Sequence, residues 1–428
     1  MKKLLSRRFV LDSRSIRPGD VFVAIKGKKV DGHEFVQEAF ERGAYAAVVE
    51  KPVKHSGNIY LVENVVDFLA DLAREKLGSL ESKRIIGITG SNGKTTTKEI
   101  LYQLLSFTDS VFKTPGNMNT EYGLPLSLIN EYKNENILVL EMAMNKKGDI
   151  KHLCSIAPPD IAVILNVGTS HIGLLGSRKD IMEAKLEIIS YSRENSVVVC
   201  FHDDDELRER VREINKKTLF FGRRGGDVVL EDWWYANGDT ACIIEHFGEK
   251  IAFKLSGIWN EGQILSLLAS VSVLKALGKE LPVRILPELK LPENRFHVMR
   301  SKGLYIINDT YNASLESFDV AVKTMLRIGE GKKYAVVGSI KEQGMFSKET
   351  HERLGKKLEA LDGVYLYTAD DEINQMKCSK ILMRSDNPKV IAENLFSRVA
   401  AGDVILFKAS RFVEIEKVLK EFMGLLGK

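Results

Sequence analysis

Short apolar runs alternate along this chain with longer stretches whose apolar residues recur at helical spacing, the pattern of strands followed by helices. Up to Leu77 it predicts strands at Val21 to Ile25, Tyr45 to Val49 and Ile59 to Val62, a helix from His33, and a second helix ending at Leu77. Gly78 stops that helix, and the polar stretch to Lys83 marks a boundary.

From Arg84 the same alternation is stronger. Strands are predicted at Arg84 to Ile88, Ile137 to Met142, Ile161 to Val167 and Val197 to Cys200, with helices between them. That order implies a parallel sheet wrapped by helices. Val228 to Leu255 breaks the pattern: Asn237-Gly238 between apolar runs is a hairpin turn, so antiparallel strands that extend the sheet are expected. A helix follows from Asn260 to Leu277. Leu281 to Pro292, with three of the ten prolines, reads as a linker. The remainder alternates again, with strands at Leu304 to Asn308, Tyr334 to Val337, Val364 to Tyr367 and Val404 to Phe407.

Length changes this picture only by dividing it. A single core stops growing at roughly 250 to 300 residues, so 428 residues require more than one domain. The expectation is an α/β protein of three domains: a small N-terminal α/β domain at 1–82, a central parallel-sheet, ATPase-like domain at 83–297, and a C-terminal Rossmann-like domain at 298–428. A formal charge of +4 gives no general field for nucleic acid, so anion binding must be local. No apolar run is long enough for a membrane span. The four cysteines, Cys154, Cys200, Cys242 and Cys378, have no paired spacing, which points away from disulfides and zinc and toward a reducing cytoplasm.

The chemistry is concentrated in IIGITGSNGKTTT, Ile85 to Thr97. An apolar strand runs into Gly90, Ser91, Asn92 and Gly93, then Lys94, Thr95 and Thr96 open a helix. Loop N–H groups and the positive helix end face an anion, the lysine adds charge near outer phosphates, and the threonine hydroxyl can ligate magnesium. The glycine spacing is shorter than in the common nucleotidase loop. Open parallel sheets bind ligands beyond the carboxyl ends of their strands, so Glu141 and His171, which leave or follow later strands, are candidates to join Thr95 around a metal. On the residues alone, Glu141 could instead be a solvated strand end, and His171 a helix-capping or structural histidine. Lys185, in IMEAKLEII, reads most simply as a lysine on a solvated helix face. Asp309, Tyr311 and Asn312, in INDTYN, could form a turn or meet the nucleotide, and Lys408-Ala-Ser-Arg411 carries the same ambiguity.

Four motifs taken together resemble the Mur ligase family: DSRSIRPGDVFVAIKG with DGHEF, GITGSNGKTTTKEI, TPGNMNTEYGLPLSL, and INDTYNASLES. The resemblance covers all three expected domains and, with EMAMNKKGDI, fits the dipeptide-adding branch better than those adding single amino acids. It implies an ATP-dependent amide ligase of peptidoglycan precursor synthesis. ATP would phosphorylate the terminal carboxylate of a UDP-N-acetylmuramoyl-tripeptide, and the amine of D-alanyl-D-alanine would displace phosphate from the acyl phosphate. The alternative within the same chemistry is a ligase adding a single amino acid, of Mur or folylpolyglutamate synthase type.

By the same resemblance Glu141 and His171 bind magnesium with Thr95, and Lys185 is carbamylated, becoming a carboxylate-like ligand. Lys94, Glu141, His171 and Lys185 form the catalytic set. Asn260, Arg295 and Asp309 join the loop in holding ATP. Ser13, Arg14, Asp31, Gly32 and His33 match the uridine-nucleotide motifs; Asn117 and Asn119 match the loop nearest the sugar and peptide; Tyr311 and Asn312 also fall on the substrate side. A monomer is expected. The pattern departs from the family at Trp259, Gln263, Ser314-Leu315, Ala143 and Ala409, which bears on the adenine contacts and the shape of the dipeptide pocket.

Overall fold

The computed structural model describes residues 2–27 and 30–427; the outermost limits of the expected domains, 1 and 428, lie outside them. Three sheets follow one another along the chain, each with its helices.

The first sheet is parallel throughout, in the order β1 (Phe9–Val10), β2 (Val21–Val23), β3 (Ala46–Val49), β4 (Asn58–Leu61). The helix expected from His33 begins as a 3-10 turn at Gly32–Phe35 and becomes α-helical at Val36–Glu41. The helix Val65–Leu77 is capped by the Asn64 side chain and ends at Gly78, whose φ of 62° suits a residue without a Cβ.

The central sheet has nine strands: β5 (Arg84–Thr89), β6 (Val111–Lys113), β7 (Ile137–Glu141), β8 (Ile161–Ile164), β9 (Val197–Phe201), β10 (Thr218–Gly222), β11 (Val228–Ala236), β12 (Asp239–His246) and β13 (Glu249–Leu255). Their spatial order is β13-β12-β11-β10-β9-β8-β5-β7-β6, parallel from β6 to β11 and antiparallel in the last two pairs. The expected hairpin is there: Asn237 and Gly238 both have positive φ, and β11 to β13 extend the sheet. Successive residues of the inner strands bury opposite faces. Ile85, Leu138, Leu140, Ala162 and Ile164 join one core; Ile86, Ile88, Val139 and Val163 join the other. Apolar runs, rather than alternation, result from this double burial.

The segment expected as a linker is not free. Val283–Glu288 forms a 3-10 helix, with Leu286 and Leu289 buried in the second central core. The third sheet runs β14 (His297–Ser301), β15 (Leu304–Asp309), β19 (Val404–Lys408), β16 (Lys333–Val337), β17 (Gly363–Tyr367), β18 (Ile381–Ser385), parallel except for edge strand β14. Strands β1, β6, β10, β14 and β18 are not predicted from sequence. Strands β1, β6, β14 and β18 lie at sheet edges, where the burial that writes a strand pattern is weaker; β10, inside the central sheet, has no such reason. Among the described residues no helix is long and apolar enough to cross a membrane, and all four cysteines are free thiols.

Candidate active site

In the central sheet β5 is flanked by β7 on one side and β8 on the other, so the chain after β5 emerges at a crevice between diverging connections. The glycine loop occupies that crevice. Gly90 has φ 155° and Gly93 φ 88°, and a Cβ on Gly90 would lie 2.9 Å from Leu165 Cβ. Gly93 is the N-cap of the helix Lys94–Leu105 and offers no side chain to satisfy its first N–H groups, which leaves them for an anion. Lys94 Nζ donates to Gly90 O at 2.7 Å, folding the ammonium back over the loop. Burial lowers its pKa; the Glu141 carboxylate works against that, and Arg295 adds to it.

Glu141, at the end of β7, is buried and stays hydrogen bonded. Its carboxylate accepts from Thr95 Oγ1 at 2.9 Å and from Asn119 Nδ2 at 2.7 Å. The solvated strand end is thereby excluded for Glu141. His171 is not a side-chain cap: it precedes the short helix Ile172–Leu175 with φ 67°, a left-handed conformation uncommon outside glycine. Its Nδ1 lies 2.8 Å from Glu342 Oε2, without the alignment of a hydrogen bond. Lys185 is only 2% exposed, which removes the solvated-face reading. Burial, and secondarily the charge of Lys94, push its pKa well below that of an ordinary lysine.

One cavity of about 490 Å³ brings most of these groups together. Ser91 to Thr96, Asn117, Asn119, Glu141 and His171 line its central-domain side; Asp309, Tyr311, Asn312 and Lys408 line the other, with Asn260 and Arg295 between. Gly90 and Lys185 do not reach its wall. Lys408 Nζ, at the end of β19, meets Asp309 Oδ2 at 2.6 Å and Asn312 O at 3.0 Å, and the Arg295 guanidinium stacks 4.0 Å from the Tyr311 ring centre. INDTYN is therefore a turn and a cavity wall at once. Asn260 caps its helix through Gln263 N, and Gln263 in return accepts from Asn260 N and donates to Arg295 O. The unusual Gln263 thus braces the passage into the third domain. Ser314, another departure, caps the helix Leu315–Met325 and donates its hydroxyl to Asn92 Oδ1 at 3.1 Å.

The N-terminal candidates lie elsewhere. Ser13 Oγ donates to Glu38, and Arg14 pairs with Asp12. Asp31 meets Lys51 Nζ at 2.7 Å and His33 Nδ1 at 2.6 Å, while His33 Nε2 accepts from Glu50 N at 2.9 Å. With Nε2 as acceptor, Nδ1 carries the proton toward Asp31. Gly32 packs where a Cβ would sit 2.7 Å from Ile25 N.

Several cavity residues carry no motif in the sequence. Asn166 clamps the loop, accepting from Asn92 N at 2.9 Å and donating to Asn92 O at 3.0 Å. Phe201 and Phe221, at the ends of β9 and β10, supply an apolar wall suited to a flat base. Behind the cavity wall, Lys98 of the glycine-loop motif is fully buried and ties the segment after β6 to the helix Lys94–Leu105 through Thr114 O and Gly116 O at 2.8 and 2.7 Å. A polar residue just past an apolar strand was the available signal for Asn166; for Phe201 and Phe221 only the fold supplies one.

The donor set suits a hard dication: a hydroxyl and a carboxylate already within hydrogen-bonding distance, with room in the cavity for phosphate oxygens and water. Among the described residues no group of three or more His, Cys, Asp or Glu could hold a metal alone.

Comparison with known proteins gives three family matches in sequence: Mur ligase family, catalytic domain, at residues 9–77; Mur ligase middle domain at 88–269; and Mur ligase, glutamate ligase domain, at 294–411. UDP-N-acetylmuramoyl-tripeptide–D-alanyl-D-alanine ligase of Bacillus subtilis is 32% identical over 425 residues, 96% of this chain and 92% of the relative. The ligase of the same name from Synechocystis is 33% identical, with 96% and 91% covered. The crystal structure of MurF ligase from Thermotoga maritima in complex with ADP superimposes with a TM-score of 0.94 at 54% identity, covering 100% of this chain and 99% of that one.

Proposed function

The chain belongs to the Mur ligase family, and from that premise we propose that it joins D-alanyl-D-alanine to UDP-N-acetylmuramoyl-tripeptide with ATP, in the cytoplasm, as a step of peptidoglycan precursor synthesis. The observation that carries this reading is the single cavity in which the glycine loop, Lys94 and the Thr95–Glu141 pair face Asp309 and Lys408 of the third domain. The division into working parts is taken as 1–82 for the UDP substrate, 83–297 for ATP and 298–428 for the closing domain.

In this scheme the tripeptide's terminal carboxylate oxygen attacks the γ-phosphorus and ADP leaves. The dipeptide amine then attacks the acyl carbon, the amide forms, and phosphate departs with the proton lost to solvent. Loop N–H groups and Lys94 offset the charge of the phosphoryl group in flight. Thr95, Glu141 and His171 would hold Mg2+, which neutralises phosphate charge when bound. Asn117 and Asn119 orient the tripeptide, and Ser13, Arg14, Asp31, Gly32 and His33 shape the uridine end. Asn260, Arg295 and Asp309 hold the nucleotide, with Tyr311 and Asn312 beside the acceptor. A cavity walled by two domains limits the access of water that would hydrolyse the acyl phosphate.

Carbamylation of Lys185 belongs to the same proposal. Its amine is buried, biased toward the neutral form that reacts with carbon dioxide, and repelled by Lys94; a carbamate would replace that repulsion with attraction. Carbon-13 bicarbonate should give a carbamate resonance that Lys185→Met lacks, and its absence from the wild type would remove this part.

The activity test is phosphate release with ATP, Mg2+, UDP-muramoyl-tripeptide and D-alanyl-D-alanine, run with tripeptides ending in diaminopimelate or lysine. Release should require both substrates. Release indifferent to the dipeptide, or preferring a free amino acid, would overturn the assignment.

A further inference from the structure

Among the contacts that join the third domain to the central one beside the cavity, four fall on the glycine loop or on residues 168–173. Glu316, the second residue of the helix Leu315–Met325, accepts from both Thr169 N and Thr169 Oγ1 through one oxygen, each at 2.9 Å. Ser314 of the same helix reaches Asn92. At the far end of the segment, Gly173 N donates to Glu342 O at 3.0 Å and His171 meets the Glu342 carboxylate. The segment is tied inward as well, since Gly168 N donates to Ser91 Oγ of the nucleotide loop at 2.9 Å.

Gly168 explains how Glu316 comes so close. Its φ is not in the left-handed region, so the backbone itself does not demand glycine. The space does: a Cβ there would lie 3.0 Å from Glu316 Cδ and 3.2 Å from both carboxylate oxygens. A carboxylate in the first turn of a helix also faces the positive end of the helix dipole. Its second oxygen is buried without a hydrogen-bond partner, a cost that partly offsets the contact and keeps docking reversible.

We propose that Glu316 is a positioning residue: by accepting both Thr169 donors over Gly168 it sets the segment that carries His171, so that this side of the phosphate site is completed only when the third domain docks. His171 holds a left-handed backbone that a free loop would relax, and its segment is pinned by the third domain at both ends. The inference deepens the ligase reading and rests on it for its link to turnover.

The test uses the full chain and four variants: Glu316→Ala, Glu316→Gln, Gly168→Ala and the Gly168→Ala/Glu316→Ala double variant. Glu316→Ala removes two hydrogen bonds and should lower kcat roughly tenfold, leave the melting temperature unchanged, and abolish the compaction expected of the wild type in small-angle scattering on adding ADP and Mg2+. Glu316→Gln, whose amide oxygen still accepts, should restore both kcat and compaction. Gly168→Ala should mimic Glu316→Ala, and in the double variant the added methyl should cost nothing further because the carboxylate it meets is gone. Unchanged kcat and compaction in Glu316→Ala, or losses that multiply in the double variant, would overturn the proposal. If the wild type shows no dipeptide-dependent phosphate release, the ligase reading fails, while the scattering arm still decides whether Glu316 docks the domain.

Discussion

The cavity between the central and third domains and the Asp31–His33–Lys51 cluster of the first domain are both built from interacting polar residues, yet they treat hydrogen-bonding capacity in opposite ways. In the first domain the partners are internal: Asp31 is matched by Lys51 and His33, and His33 by Glu50 N. Around the cavity, the first N–H groups of the helix Lys94–Leu105 have no side-chain cap, two glycines of the loop hold positive φ, and Lys185 is buried near a second lysine. A closed network stabilises the shape of a loop, whereas an open one stores capacity for a charged ligand. The cavity is thus where binding and chemistry should respond to substitution, and the cluster is where stability should.

The sharpest way to break that contrast is Lys94→Ala. It should reduce phosphate release roughly 100- to 1000-fold, as for loss of a group facing developing charge, with no change in the denaturant midpoint. A variant of near-normal rate would remove the loop from the reaction. Asn166→Ala comes next. Losing both bonds to Asn92, about 1 kcal/mol each, should weaken ADP binding ~30-fold in calorimetry; unchanged affinity would mean that the loop holds its shape unaided.

In the first domain His33→Ala should show the reverse. Leaving Glu50 N without its acceptor should cost about 1 kcal/mol in denaturant unfolding, with ADP affinity intact. Weakened ADP binding there would end the distinction between the two regions. The smallest effect concerns pH. The Lys51 hydrogen bond, then that of His33, hold the Asp31 carboxyl below the usual carboxylate range. Because the folded value is depressed, its contribution to stability is complete above the unfolded value of about 3.9 and is lost as pH falls through the folded value. Carbon-13 titration of Asp31 in Lys51→Met should show its midpoint moved up toward the ordinary range; an unmoved midpoint would assign the depression to His33 instead.

Much of the site was legible because its chemistry is local. Strand, glycines, lysine and helix are consecutive from Ile85 to Thr97, and the same short stretch provides both the anion cradle and Thr95. The double burial of the inner strands likewise announces itself as apolar runs, and Asn237-Gly238 encodes its own turn. Where the burial was tertiary, reading failed: Leu281 to Pro292 looks like a proline-rich linker, yet Leu286 and Leu289 complete a core formed by residues far away in sequence.

The amino-acid sequence by itself determined the three successive α/β units, the nucleotide loop and, through motifs spread over the whole chain, the family. Only the tertiary structure decided which polar residues are open to a ligand and which are sealed. It turned Lys185 from a surface lysine into a buried one, placed Asn166 against the loop, and brought Glu316 over Gly168. The physical reason is that a residue's type and spacing specify which bonds it can make, whereas desolvation and partner identity depend on what the rest of the chain packs against it.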